Sequence, residues 1–77
     1  MAPHIRLKLY ASLRKYMPPD AETYAIKPTA CVRDLVAALN IPEKEAKLIF
    51  IDGVKKKLDQ RLKGGEQVGI FPPVGGG

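Results

Sequence analysis

The residues best suited to chemistry stand at the end of the sequence, Pro72-Pro73-Val74-Gly75-Gly76-Gly77, where three of the seven glycines run together. Glycine has no Cβ, so a run of it passes through a narrow channel and lets an attacking group approach the main chain closely. The candidate reactive group is the α-carboxylate of Gly77. A carboxylate at neutral pH is a poor electrophile until one oxygen becomes a leaving group. Six extended residues reach about 20 Å, enough to enter a buried site while a folded domain stays outside. Ordering such a tail costs ~1–2 kcal/mol of backbone entropy per residue. Pro72-Pro73 lowers that cost, because fixed φ favours an extended exit. The plain alternative is that terminal glycines are disordered and idle. What precedes the tail decides between the two.

Other reactive side chains are few. One cysteine and one histidine assemble no metal set. A single cysteine also forms no internal disulfide, which fits a reducing compartment. Cys31 falls at the start of a helical pattern, where a thiol pKa can drop and the sulfur become reactive. The preferred reading is a small, partly buried hydrophobe. His4 precedes the first strand pattern and reads as an incidental terminal residue.

The 77 residues make one domain, expected to span 1–72 with a flexible tail at 73–77. A chain this short buries only about 60% of its unfolded surface, so its core must be compact. No apolar run approaches the roughly 20 residues of a membrane helix, and no signal peptide is evident. A cytoplasmic protein with no membrane partner is expected. The net charge is +5, but the basic residues are spread along the chain. Only Lys55-Lys56-Lys57 forms a run, and five aromatic residues (three Tyr, two Phe) offer no stacking platform for nucleic acid. Steering toward an acidic protein partner explains the charge at least as well as nucleic acid does.

The elements that would position the tail follow from periodicity. Ile5 to Tyr10 alternates, with Ile5, Leu7 and Leu9 on one face and Arg6, Lys8 and Tyr10 on the other. Ala11 to Tyr16 reads as a short helix or turn stopped by Pro18-Pro19. Glu22 to Lys27 alternates weakly, with Tyr24 and Ile26 inward. Val32, Leu35, Val36 and Leu39 form the apolar stripe of one main helix. Cys31 or Thr29 is its N-cap, Asp34 completes a capping box with position 31, and Asn40 and Pro42 end it. Lys47 to Ile51 is a strand, and Asp52-Gly53 predicts a type I′ hairpin into Val54–Lys57. Leu58 and Leu62 anchor a loop, Lys63 to Glu66 turns, and Gln67 to Phe71 is the last strand, with Phe71 outward. Ile49, Ile51 and Phe71 are expected on the face away from the helix. They form either a docking surface or ordinary scattered surface hydrophobes. Periodicity alone reaches a small α+β domain; the element order, with a helix packed across a mixed sheet of four to five strands, is that of the β-grasp (ubiquitin-like) arrangement.

Ile5 to Tyr16 resembles the opening of the MoaD family of sulfur carriers. Cys31-Val32-Arg33-Asp34-Leu35 resembles that family's Thr-Val-x-x-Leu helix start, and Ile51-Asp52-Gly53 its Val-Asn-Gly hairpin. Leu62 to Gly77 resembles its most specific signature, a Leu-x-x-Gly-Asp-x-Val strand closing on Phe-Pro-Pro-Val and Gly-Gly. The related ThiS carriers share the glycine end and usually lack the two prolines. Two departures stand out: Cys31 replaces the usual Thr, and Gly75 makes three terminal glycines where the family has two.

The resemblance implies a carrier rather than an enzyme. An adenylyltransferase of the ubiquitin-activating type would activate the Gly77 carboxylate with ATP, with no cofactor bound to the carrier itself. A sulfurtransferase persulfide would displace AMP to leave a thiocarboxylate. The acceptor would be the large subunit of molybdopterin synthase, with thiamine or amino-acid biosynthesis and lysine conjugation as alternatives. Phe71, Pro72, Pro73, Val74, Gly75, Gly76, Ile49 and Ile51 would meet these partners.

Overall fold

The computed structural model describes residues 3–73. Val74, Gly75, Gly76 and Gly77 lie outside the described residues, so only Pro73 of the expected tail falls within them.

The first strand, β1 (His4–Leu9), buries Ile5, Leu7 and Leu9 as its alternation requires. A 3₁₀ segment, Ala11–Tyr16, follows and inserts Leu13 fully into the core. The chain returns through a second 3₁₀ turn to the two-residue β2 (Tyr24–Ala25), antiparallel to β1.

The α-helix found among the described residues, α1 (Val32–Ala38), lays Val32, Leu35 and Val36 on the sheet, with Leu39 buried at its end. Its first N–H groups have no intrahelical acceptor. The carboxylate of Asp34 accepts from the Cys31 N–H at 3.0 Å. Val32 and Arg33 donate instead to the carbonyls of Gln60 and Leu58, at 2.9 and 2.8 Å. The later loop therefore holds the start of the helix, a tie that the local sequence does not announce. At the other end Asn40 takes φ +62°. Asn40 donates to Ala37 and Ile41 to Val36, at 3.0 and 3.1 Å, which is the Schellman pattern.

The hairpin of β3 (Leu48–Ile51) and β4 (Val54–Lys56) turns on Asp52 at φ +52° and Gly53 at φ +85°, both positive as a type I′ turn demands. Leu62 is buried beneath the connection and Leu58 packs on the core edge, as expected. The last strand, β5 (Gln67–Phe71), enters the middle of the sheet. It runs parallel to β1 and antiparallel to β3, giving the order β2-β1-β5-β3-β4. This is the five-stranded mixed sheet crossed by one main helix that a β-grasp requires. Among the described residues no polar or charged side chain is buried.

One expectation is overturned. Ile49 and Ile51 do not face away from the helix; they are 2% and 7% exposed and belong to the core. The reason is register. Ile49 sits opposite Ile70 and Ile51 opposite Val68, and β5 has already committed both of those residues to the helix side. Residues directly opposite in a ladder share a face.

Candidate functional site

The sheet face away from α1 gathers the side chains that lead into the tail. Leu48 lies opposite Phe71, and Phe50 opposite Gly69. Tyr10 extends β1 by one residue and donates its N–H to the Ile70 carbonyl at 3.2 Å. Its ring lies flat on Phe71, with centroids 4.1 Å apart and planes within 2°. Phe50 meets Phe71 edge-on at 5.6 Å and 84°. Such arrangements are worth ~0.5–1.5 kcal/mol beyond the area they bury.

Gly69 makes the stack possible. A Cβ built there would stand 3.3 Å from Cε2 of Tyr10. Without that atom, the Tyr10 ring crosses the strand to reach Phe71. Immediately after Tyr10, Ala11 takes φ +51°. A non-glycine residue in that left-handed region costs roughly 1–2 kcal/mol. The chain tolerates this strain at the point where it leaves β1 and turns Leu13 back into the core.

The three rings, with Gly53, Gln67 and Gly69, line a shallow cavity of about 250 Å³. Cations flank it. Lys8 pairs with Gly69 and Lys55 with Phe50, so one row across the sheet reads Lys8, Gly69, Phe50, Lys55. The surface thus has an apolar centre and a basic rim, the anatomy of a protein-docking patch.

Phe71 closes this surface, and its carbonyl accepts the Lys47 N–H at 3.0 Å. The chain leaves through Pro72, half-buried, and Pro73, exposed. Proline cannot extend the ladder, so the two residues end the strand here. Of the residues expected at a partner site, the structure brings Phe71, Pro72 and Pro73 together and removes Ile49 and Ile51. Val74, Gly75, Gly76 and Gly77 are beyond the described residues. Tyr10 and Phe50 enter the site instead. Alternation had already turned Tyr10 outward, but only the parallel pairing of β1 with β5 sets it beside Phe71.

The remaining candidates have structural roles. The Cys31 thiol lies 3.4 Å from the same Asp34 oxygen that accepts the Cys31 N–H, so the sulfur belongs to the helix cap. These two contacts, the backbone one first, hold the Asp34 carboxyl below its usual value of 3.8, with Arg61 and Lys27 adding to the same direction. The His4 carbonyl accepts the Gly65 N–H at 2.6 Å, tying the first strand to the turn before the last. Among the described residues no group of three His, Cys, Asp or Glu side chains is placed to hold a metal. No helix among them is long and apolar enough to cross a membrane.

Known proteins resemble this chain along nearly its whole length. A family model described as Mut7-C ubiquitin matches residues 2–75. A protein of Pyrococcus furiosus assigned as molybdopterin converting factor, subunit 1, superposes with a TM-score of 0.70 at 26% identity, covering 95% of this chain and all of that one. SAMP1 of Haloferax volcanii superposes with a TM-score of 0.64 at 22% identity, covering 95% and 98%. At that identity the second likeness speaks for the fold alone. Both are β-grasp, ubiquitin-like structures. No curated protein matches the sequence significantly.

Proposed function

The chain belongs to the Mut7-C ubiquitin family, and from that premise we propose that it is a sulfur carrier working through the carboxylate of Gly77. The observation that carries the reading is the continuity of the aromatic face with the exit of the chain. Phe71 ends the docking surface, and the Pro72-Pro73 stem starts at the next residue. A partner seated on Tyr10, Phe50 and Phe71 receives whatever follows Pro73 at its own active site. The assignment of the Pyrococcus protein to molybdopterin conversion favours molybdopterin biosynthesis as the pathway.

The chemistry asks little of the carrier. An adenylyltransferase joins the Gly77 carboxylate to AMP and releases pyrophosphate. The terminal sulfur of a persulfide attacks the acyl carbon, and AMP leaves. A thiol then cleaves the sulfur–sulfur bond, which leaves a thiocarboxylate on the carrier. The large subunit of molybdopterin synthase would take the sulfur. The chain's own residues bind and orient: the rings dock, the prolines stiffen the stem, and the glycines give access. In this scheme no side chain of the carrier is asked to do chemistry.

Intact mass spectrometry of the protein purified from its own host tests the reading. A species in which one oxygen is replaced by sulfur is expected on a chain ending at Gly77. Lysine-linked adducts alone would make it a protein modifier, and a chain continuing past Gly77 would overturn the role of that carboxylate. Deleting Gly76-Gly77 is expected to abolish sulfur transfer. Phe71→Ala should weaken binding to both the activating enzyme and the acceptor, and unchanged affinity for both would remove the docking surface from the scheme.

A further inference from the structure

On the helix side of the β3–β4 edge an open groove of about 880 Å³ runs between α1 and β4. Its floor is apolar, made by Ile49, Ala46 and the half-exposed Leu58. Lysine dominates its walls: Lys44 and Lys47 from the approach to β3, and Lys56 and Lys57 from β4 and the residue after it; Lys55 borders the groove as well, but opposite Phe50 it belongs to the face of the rings. Two carboxylates, Glu43 and Asp59, line it as well, and Glu43 lies 3.5 Å from Arg33. Among the described residues β4 is the last strand in the sheet order, so one of its backbone edges is free.

Lysines on an edge strand commonly prevent edge-to-edge pairing. A second copy of this chain would bring lysine against lysine, which is destabilising for residues directly opposite. The same charges select in the other direction. An incoming strand with carboxylates at alternate positions would meet opposite charge and could add its backbone to the free edge. Lys44 and Lys47 do not belong to the edge, so edge protection leaves their convergence on the groove unexplained.

We propose that this groove docks an extended acidic segment of a partner protein along the free edge of β4, with carboxylates at alternate positions against the lysines on the helix side and the intervening side chains turned to the opposite face. A nucleic acid fits less well. No aromatic residue lines the groove for base stacking. Its one arginine is paired, and the lysines are point charges without the fork that grips phosphate. The three rings of the docking face lie on the opposite side of the sheet. The proposal is independent of the sulfur-carrier reading, and either can fail without the other.

The test uses the full chain and a short synthetic peptide alternating Glu with Val. Binding is followed by chemical shifts, with a single-stranded oligonucleotide of similar charge as the competitor. The expected result is peptide binding that perturbs amides of Val54 to Lys57 and weakens as salt is raised. Lys56→Glu/Lys57→Glu should lower the affinity roughly tenfold or more, as expected for rim charges turned from attractive to repulsive. Both side chains are exposed, so the variant should remain folded, and its amide spectrum shows whether it does. Three results would overturn the proposal: no peptide binding at physiological salt, shifts confined to the Tyr10–Phe71 face, or tighter binding of the oligonucleotide.

Discussion

Gly69 and Gly64 show how differently one missing atom matters in this small protein. At Gly69 an added Cβ meets only the edge of the Tyr10 ring, 3.3 Å away, and the ring is the far end of a half-exposed side chain. Gly69→Ala should therefore change stability by less than about 1 kcal/mol, since Ala gains strand propensity as the ring yields. The stack on Phe71 should suffer, however, and the ring-current shifts of the Tyr10 and Phe71 protons would record its loss. At Gly64 the added atom meets Pro3 Cβ at 2.7 Å, and φ is +118°. Backbone and neighbour both resist, so Gly64→Ala should lose roughly 1–3 kcal/mol in urea unfolding. Asp34 supplies a pH-dependent case. Its pKa is lowered in the folded state by the N–H and thiol of Cys31. Because the folded value is depressed, its stabilising effect is complete above the unfolded value near 3.8 and is lost as pH falls through the folded one. Asp34→Asn should accordingly be less stable than the parent at neutral pH, and the gap between their unfolding curves should close in acid.

The elements divide by how much of their information is local. The helix carries its own signals: the Val32-Leu35-Val36 stripe, the Asp34 cap, and Asn40 at φ +62°. That last conformation predicts a substitution pattern. Asn40→Gly should be neutral or slightly stabilising, whereas Asn40→Ala should cost about 1 kcal/mol by thermal or urea melting. The Asp52-Gly53 turn and the span of β5 are equally legible, because turn chemistry and strict alternation are written in the residues themselves. Leu48-Ile49-Phe50-Ile51 is not. Every residue in it is apolar, so the strand gives no sign of which face is inward, and a slip of one residue exchanges the faces. Only the pairing with β5 settles that Ile49 and Ile51 go to the core and Phe50 to the docking face. The same holds for Tyr10 and Phe71, far apart in sequence and joined by the parallel β1–β5 ladder. The candidate site was thus half readable: Phe71 and the proline stem from sequence, the rest of the aromatic face from topology.

At the scale of the whole molecule, one sheet serves two ends. Its helix side holds the core together, and its other side stays available for a partner. A domain of this size has a total stability of about 4–12 kcal/mol, so the two sides should respond in opposite ways to mutation. The neighbours Ile49 and Phe50 make the sharpest comparison, because they share a strand and present opposite faces of it. Ile49 is 2% exposed and opposes Ile70 in the core. Ile49→Ala leaves a cavity there and should cost about 2–5 kcal/mol, a large share of the total, visible as a lower urea midpoint. Phe50 is half-exposed and touches Phe71 edge-on. Phe50→Ala removes that contact and should cost about 1 kcal/mol, while weakening binding to the activating enzyme. Measured side by side, the first variant should lose stability and the second should lose affinity. If Phe50→Ala destabilised the fold as much as Ile49→Ala and left affinity intact, the exposed rings would belong to the core, and docking would have to be sought elsewhere on the molecule.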